Sequence, residues 1–185
     1  RLLLIGMGMN WFLLATVAVV LLAMPMVLKQ QLGLSDSTAY VWQAMGIVLQ
    51  AIGCVVFGRM ADGLGIGRTA VVGAVLMLLA ASVFYFGLHR LPIAQLALAY
   101  AVMAVCAGSG ACVGKMVVRF PAPIRLSGMG ALYNLSSAIF GGISLPLVAA
   151  LSERFVWGTW LYLAVLALVF AGLGCLYRRF FELGG

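Results

Sequence analysis

Apolar residues fall into six long runs along this chain, and the charged residues fall between them. The runs are Leu2–Leu28, Thr38–Gly58, Thr69–Leu88, Ile93–Gly114, Gly128–Leu151 and Gly158–Tyr177. None contains Asp, Glu, Lys, Arg or His. A helix crosses hydrocarbon with about 20 apolar residues. The runs reach that length and lack the alternation of barrel strands, so they predict six transmembrane helices. Turn chemistry lies between them. Gly33 and Ser35-Asp36-Ser37 precede the second run and can cap its N-terminus. Pro92 opens the fourth, where a missing N–H costs nothing, and Pro121 and Pro123 mark the longest loop.

Composition agrees. The 185 residues are 65% hydrophobic and 8% charged, against about 45–50% apolar and about 25% charged in ordinary soluble domains. A mean hydropathy of +1.19 excludes a soluble globular domain or a disordered tail. The chain therefore reads as an all-α membrane protein, one domain over residues 1–185 that forms a six-transmembrane-helix bundle. The lipid bilayer is its first partner. It starts at Arg1 rather than Met, which suggests excision or processing from something longer, and its first run reads as a span, not a signal peptide.

The net charge of +7 is explained by topology, so no nucleic-acid partner is expected. Arg1, Arg59, Arg68, Lys115, Arg119, Arg125, Arg178 and Arg179 fall on one side, and Lys29, Arg90 and Arg154 on the other. The positive-inside bias makes the first side cytoplasmic, with both termini there. His89 and the tryptophans Trp42, Trp157 and Trp160 then sit near the outer interface. Cys54, Cys106, Cys112 and Cys175 lie in apolar runs without metal-ligand spacing, so they read as packing residues and no metal is expected.

Amides occur in or at the ends of four spans: Asn10, Gln43 and Gln50, Gln95, and Asn134. Spans three and six have none. An amide in hydrocarbon needs a partner or water, so spans one, two, four and five are expected to line a polar seam while three and six face lipid. Gly108, Gly110 and Gly114 place a Gly-x-x-x-Gly in span four, a spacing that permits close helix approach. Gly141-Gly142 followed by Pro146 predicts a helix break in span five of the kind transporters use at binding sites.

Two motifs carry more. The loop between spans two and three reads Gly58-Arg59-Met60-Ala61-Asp62-Gly63-Leu64-Gly65-Ile66-Gly67-Arg68. It resembles the signature loop of the major facilitator superfamily at Gly58, Asp62, Gly65 and Arg68. Gly63 stands where that family has Arg, and Ile66-Gly67 stand where it has a basic pair. Phe120-Pro121 with Arg125-Leu126-Ser127-Gly128, then Tyr133-Asn134, Phe140-Gly141-Gly142 and Pro146, is similar to the eleventh span of the metabolite:proton symporters in that superfamily. These are bacterial carriers of shikimate, proline/betaine, citrate and α-ketoglutarate.

The resemblance implies the C-terminal half, spans seven to twelve, of a transporter built from 3+3 inverted repeats, in a bacterial inner membrane, with the N-terminal six-helix half as a missing partner. It implies proton-coupled symport of a small polar metabolite by alternating access, with no cofactor besides the proton as coupling ion, and no enzyme activity. Spans one, two, four and five would surround the cavity. Asn10, Gln43, Gln50, Tyr133, Asn134 and Ser137 are the expected substrate-binding residues, with Tyr100 behind them. Gly58, Asp62, Gly65, Arg68 and Arg125 would form the cytoplasmic latch and gate. Lys115 and Arg119 read as plain topology charges. No carboxylate or histidine lies within a run, so the coupling group is expected on the missing half. The alternative is a non-transporting or degenerate module left by truncation or gene splitting. An intramembrane protease is disfavoured, because Gly108-Ser109-Gly110 has no histidine deep in another span and His-Glu-x-x-His is absent.

Overall fold

The computed structural model describes residues 2–155 and 157–183. Among them every regular element is helical. Six helices are long and apolar enough to cross a membrane: span one Leu2–Leu22, two Asp36–Leu64, three Ile66–Gly87, four Ile93–Arg119, five Ala122–Arg154 and six Gly158–Glu182. Arg1 and the two terminal glycines lie outside the described residues.

Several helices run past the charges that bound the apolar runs. Span two continues through Arg59 and Asp62, span four reaches Arg119, and span six reaches Glu182. Charge ends a hydropathy run without ending a helix, since long side chains at a helix end extend toward the interface. Ser35 caps span two as expected, its Oγ accepting from the Thr38 amide at 3.4 Å. The first run, by contrast, is not one helix. Span one loosens into a π-helical turn at Val17–Leu22, bends at Ala23, and a second helix follows at Met24–Leu32. The cause is Pro25, which cannot donate to the preceding turn.

Span four is α-helical to Ala107 and then 3-10 from Gly108 to Arg119. Its glycines set two close crossings. A Cβ on Gly108 would lie 2.5 Å from the Cys54 amide nitrogen of span two, and one on Gly110 would lie 2.9 Å from Cα of Leu13 in span one. Gly53 answers from span two, where a Cβ would collide with the Val105 carbonyl. Gly114 faces open space, so the expected Gly-x-x-x-Gly pair is replaced by Gly108 and Gly110.

Spans four and one form the centre. In their most apolar stretches 67% and 56% of residues are buried, against 22% in span two and 17% in span five. Spans three and six do not simply face lipid. They pack on each other where Gly67 and Ala70 meet Gly174, and 44% of each apolar stretch is buried. Absence of amides does not identify the lipid face; small residues bring these two helices together. Phe12 of span one stacks on Phe170 of span six with ring centres 4.2 Å apart, extending the core between them.

Candidate functional site

Two helix irregularities sit within the bundle, each tied to a proline. Just past span one, Pro25 offers no N–H to the carbonyls of Leu21 and Val20, four and five residues earlier. Neighbouring spans supply the donors. Gln43 of span two donates from Nε2 to the Leu21 carbonyl at 3.1 Å. Tyr100 of span four donates from Oη to the Val20 carbonyl at 3.3 Å. Thr16 closes the near side, its hydroxyl donating to Phe12 at 2.8 Å and Leu13 at 3.0 Å. Trp42 stacks beside Tyr100 with ring centres 5.8 Å apart.

Span five, where Gly141, Gly142 and Pro146 led to the expectation of a break, loosens without being interrupted. A π-helical turn covers Ser137–Gly141, and Pro146 lies inside the helix Gly142–Arg154. One side of this turn is anchored. Trp11 stacks on Phe140 at 4.8 Å, and its Nε1 donates to the Tyr162 hydroxyl at 3.3 Å. Tyr162 donates to Ser144 at 2.8 Å, and Ser144 donates to the Phe140 carbonyl. The other side is bare. Gly142 is exposed, and no side chain among the described residues donates to its carbonyl or to that of Gly141.

The six expected substrate-binding residues separate into two groups. Asn10, Gln43 and Gln50 are inside the bundle. Asn10 is only 2% exposed and its Nδ2 has no hydrogen-bond partner. Gln50 is buried beside the crossing of spans two and four, its carbonyl oxygen 2.8 Å from where a Cβ on Gly108 would sit. Gln43 has its amide nitrogen engaged by span one, and Tyr100 is engaged there too. Tyr133 and Asn134 lie on the exposed face of span five, and Ser137 is half-buried at the start of its π turn. None of the six lines either cavity at the ends of the bundle.

One end gathers the turn between spans two and three, the end of span four and the end of span six. Asp62 pairs with Lys115 at 3.0 Å, and Lys115 also donates to the Ala61 carbonyl at 2.9 Å. Lys115 is therefore part of a clasp between spans two and four, more than a topology charge. Glu182, not Asp62, occupies the N-terminus of span three, its Oε1 accepting from the Gly67 amide at 3.1 Å. Gly65 adopts φ +90°, a conformation open to glycine. A Cβ on Gly67 would lie 2.6 Å from the Gly174 carbonyl oxygen. Gly58 faces open space, so close approach rests on Gly65 and Gly67. Arg125 is half-buried, and its Nε points to the Phe120 carbonyl at 3.4 Å. Arg68 lines a cavity at this end.

The opposite end is tied by Lys29 and Asp36, 2.6 Å apart and both exposed. The hydrogen bond to Asp36 raises the Lys29 pKa above its ordinary value. A cavity of about 780 Å³ opens there, lined by Gln30, His89, Arg90, Glu153 and Trp157 among others.

Sequence reasoning missed Pro25, Tyr100 as a backbone donor, Lys115 and Glu182. Met24-Pro25-Met26 inside an apolar run was the signal for the first. No protein-family model, curated protein or solved structure matches the chain.

Proposed function

We propose that the chain is one half of a secondary transporter of the major facilitator type. It works with a second six-helix half to carry a small polar metabolite, an organic acid or a zwitterion, in symport with protons across a bacterial inner membrane. The observation that carries this reading is span five. Its buried fraction is 17%, yet its open face bears Asn134, Tyr133 and the carbonyl of Gly142 that Pro146 leaves without an amide. Such polarity is costly against lipid, on the order of 1 kcal/mol or more per unpaired group, and is suited to a partner helix or a wet cavity.

The pattern of neighbours adds support. Span one touches two, four, five and six; span three touches two, four and six; span four touches two and five; span five touches six. Exchanging one with four, two with five and three with six maps this set onto itself. That is the expectation for two three-helix repeats related by a pseudo-two-fold axis. Both termini would be cytoplasmic, where the Asp62–Lys115 clasp and the Glu182 contact hold the rim. Asn10, with its unpaired Nδ2, and Asn134 are the foremost substrate contacts. Among the described residues the acids lie at the rims, so the proton-coupling group belongs to the other half.

The test is uptake by the whole gene product in proteoliposomes under a proton gradient, across a panel of organic acids and betaines. The expected result is substrate-dependent proton entry that Asn134→Ala reduces at least tenfold. No proton or substrate flux with any compound, from protein that remains folded, would favour the non-transporting module instead.

A further inference from the structure

The end of the bundle that holds the clasp also holds a cavity of about 450 Å³. Its wall includes Arg68 from span three, Lys115 and Arg119 from span four, and Arg178 from span six. Three separate helices therefore aim cations at one volume. The acids nearby are few and committed. Asp62 is paired with Lys115, and Glu182 accepts from the Gly67 amide. Among the described residues, Arg68, Arg119 and Arg178 have no carboxylate within 4.0 Å. Four cations against two acids leave this corner at net +2.

We infer that this cavity binds a phosphate-bearing anion. Arginine presents paired N–H donors that match phosphate oxygens, while the N-terminus of span three is already taken by the Glu182 carboxylate. The margin of the cavity favours a phospholipid as the carrier. Leu64, Val118 and Leu183 line it and are 46%, 57% and 69% exposed, an apolar shoulder beside the charges where acyl chains can begin. A tail-less phosphate would leave that shoulder uncovered. The inference rests on the cavity alone and stands apart from the transport reading.

A bound lipid would bridge the loop after span two to the ends of spans four and six. Charged groups already join these elements through the contacts of Lys115 with Asp62 and the Ala61 carbonyl and of Glu182 with the Gly67 amide. Occupancy would therefore stiffen the rim.

The experiment uses the whole gene product in detergent, titrated with short-chain phosphatidylglycerol, phosphatidylcholine and glycerol 3-phosphate, with binding read by native mass spectrometry and thermal melting. Phosphatidylglycerol should bind and raise the melting temperature, and phosphatidylcholine should do so far less. Arg68→Gln with Arg119→Gln should weaken phosphatidylglycerol about thirtyfold, taking about a factor of five per basic residue at a membrane surface. Arg90→Gln, at the opposite end, should leave it unchanged. Glycerol 3-phosphate binding as tightly as the lipid would support the phosphate site and assign it to a soluble anion. Equal binding of phosphatidylglycerol and phosphatidylcholine to the unaltered protein would overturn the inference. So would equal losses from the Arg90 variant and the Arg68/Arg119 pair.

Discussion

Span one, at the Pro25 that opens the short helix after it, and span five, at Pro146 within it, each carry a π-helical turn, yet the two are treated in opposite ways. In span one the carbonyls that Pro25 leaves free are met by Gln43 and Tyr100 from two other spans. In span five the carbonyls of Gly141 and Gly142 meet no side chain among the described residues, and Gly142 is exposed. A proline in a membrane helix is tolerated where something satisfies the backbone it frees. The bundle does this for itself at span one. At span five only the inner side is anchored, through Trp11, Tyr162 and Ser144. The sealed break is architecture. The open one leaves the Gly142 carbonyl without a side-chain partner, and on the proposed reading another surface or a polar solute completes it.

The contrast can be broken most forcefully at span one. Gln43→Leu combined with Tyr100→Phe removes both donors and leaves two buried carbonyls unpaired. The expected loss is about 2–4 kcal/mol of stability, read by unfolding in mixed micelles. A loss below half a kcal/mol would mean that the break is not sealed by these bonds.

A rescue sharpens the same point. Pro25→Ala restores the missing amide, so the helix can satisfy its own carbonyls. In that background the double substitution should cost less than about 1 kcal/mol, a coupling that a double-mutant cycle reads directly. Undiminished cost would assign the effect to lost packing of Trp42 and Tyr100.

At span five the matching change has a different signature. Pro146→Ala should alter the stability of the isolated bundle by no more than about 1 kcal/mol, since no neighbour's bond depends on the break. On the proposed transporter reading, in the protein assembled with its second half it should slow uptake much more than it changes substrate affinity. A large stability gain would show that the break is mere strain.

A comparable effect is expected on the anchored side of span five. Tyr162→Phe keeps the ring but removes two hydrogen bonds, the one it donates to Ser144 and the one it accepts from Trp11 Nε1, for about 1 kcal/mol in the same unfolding measurement, taking about 0.6 kcal/mol per such bond inside a membrane.

The number of spans and the grouping of charges at two ends were legible in the sequence because hydropathy is additive along the chain. An irregularity in span five was legible from Gly141, Gly142 and Pro146, which are local, though it takes the form of a π-helical turn in a continuous helix and not of an interruption. The break in span one has the same local signal at Pro25, but long apolar runs hide a proline that hydropathy scores only mildly. Its seal was not legible, since Gln43 and Tyr100 are 22 and 80 residues away from the carbonyls they reach. An amide such as Gln43 looks like a ligand contact until the crossing of spans two and one is known. The clasp was half legible. Asp62 stands out in its loop, while its partner Lys115 and the helix-capping Glu182 come from spans whose ends only the packed bundle brings together. The glycine spacing misled for a related reason. Gly110 and Gly114 share a face of an α-helix, but this part of span four is 3-10, which rotates Gly114 away.

The central claim is that span five turns its open face to a wet or protein-lined seam and not to lipid. Thiol accessibility in the native membrane tests it directly. In a background with Cys54, Cys106, Cys112 and Cys175 replaced, single cysteines are placed at Asn134, at Gly142 and at Leu168. Leu168 lies on an exposed apolar face of span six. The account predicts that a membrane-impermeant maleimide labels position 134 or 142 at least tenfold faster than position 168, and that added substrate slows that labelling. Labelling of 134 and 142 as slow as that of 168, with or without substrate, would place span five against lipid and contradict the account.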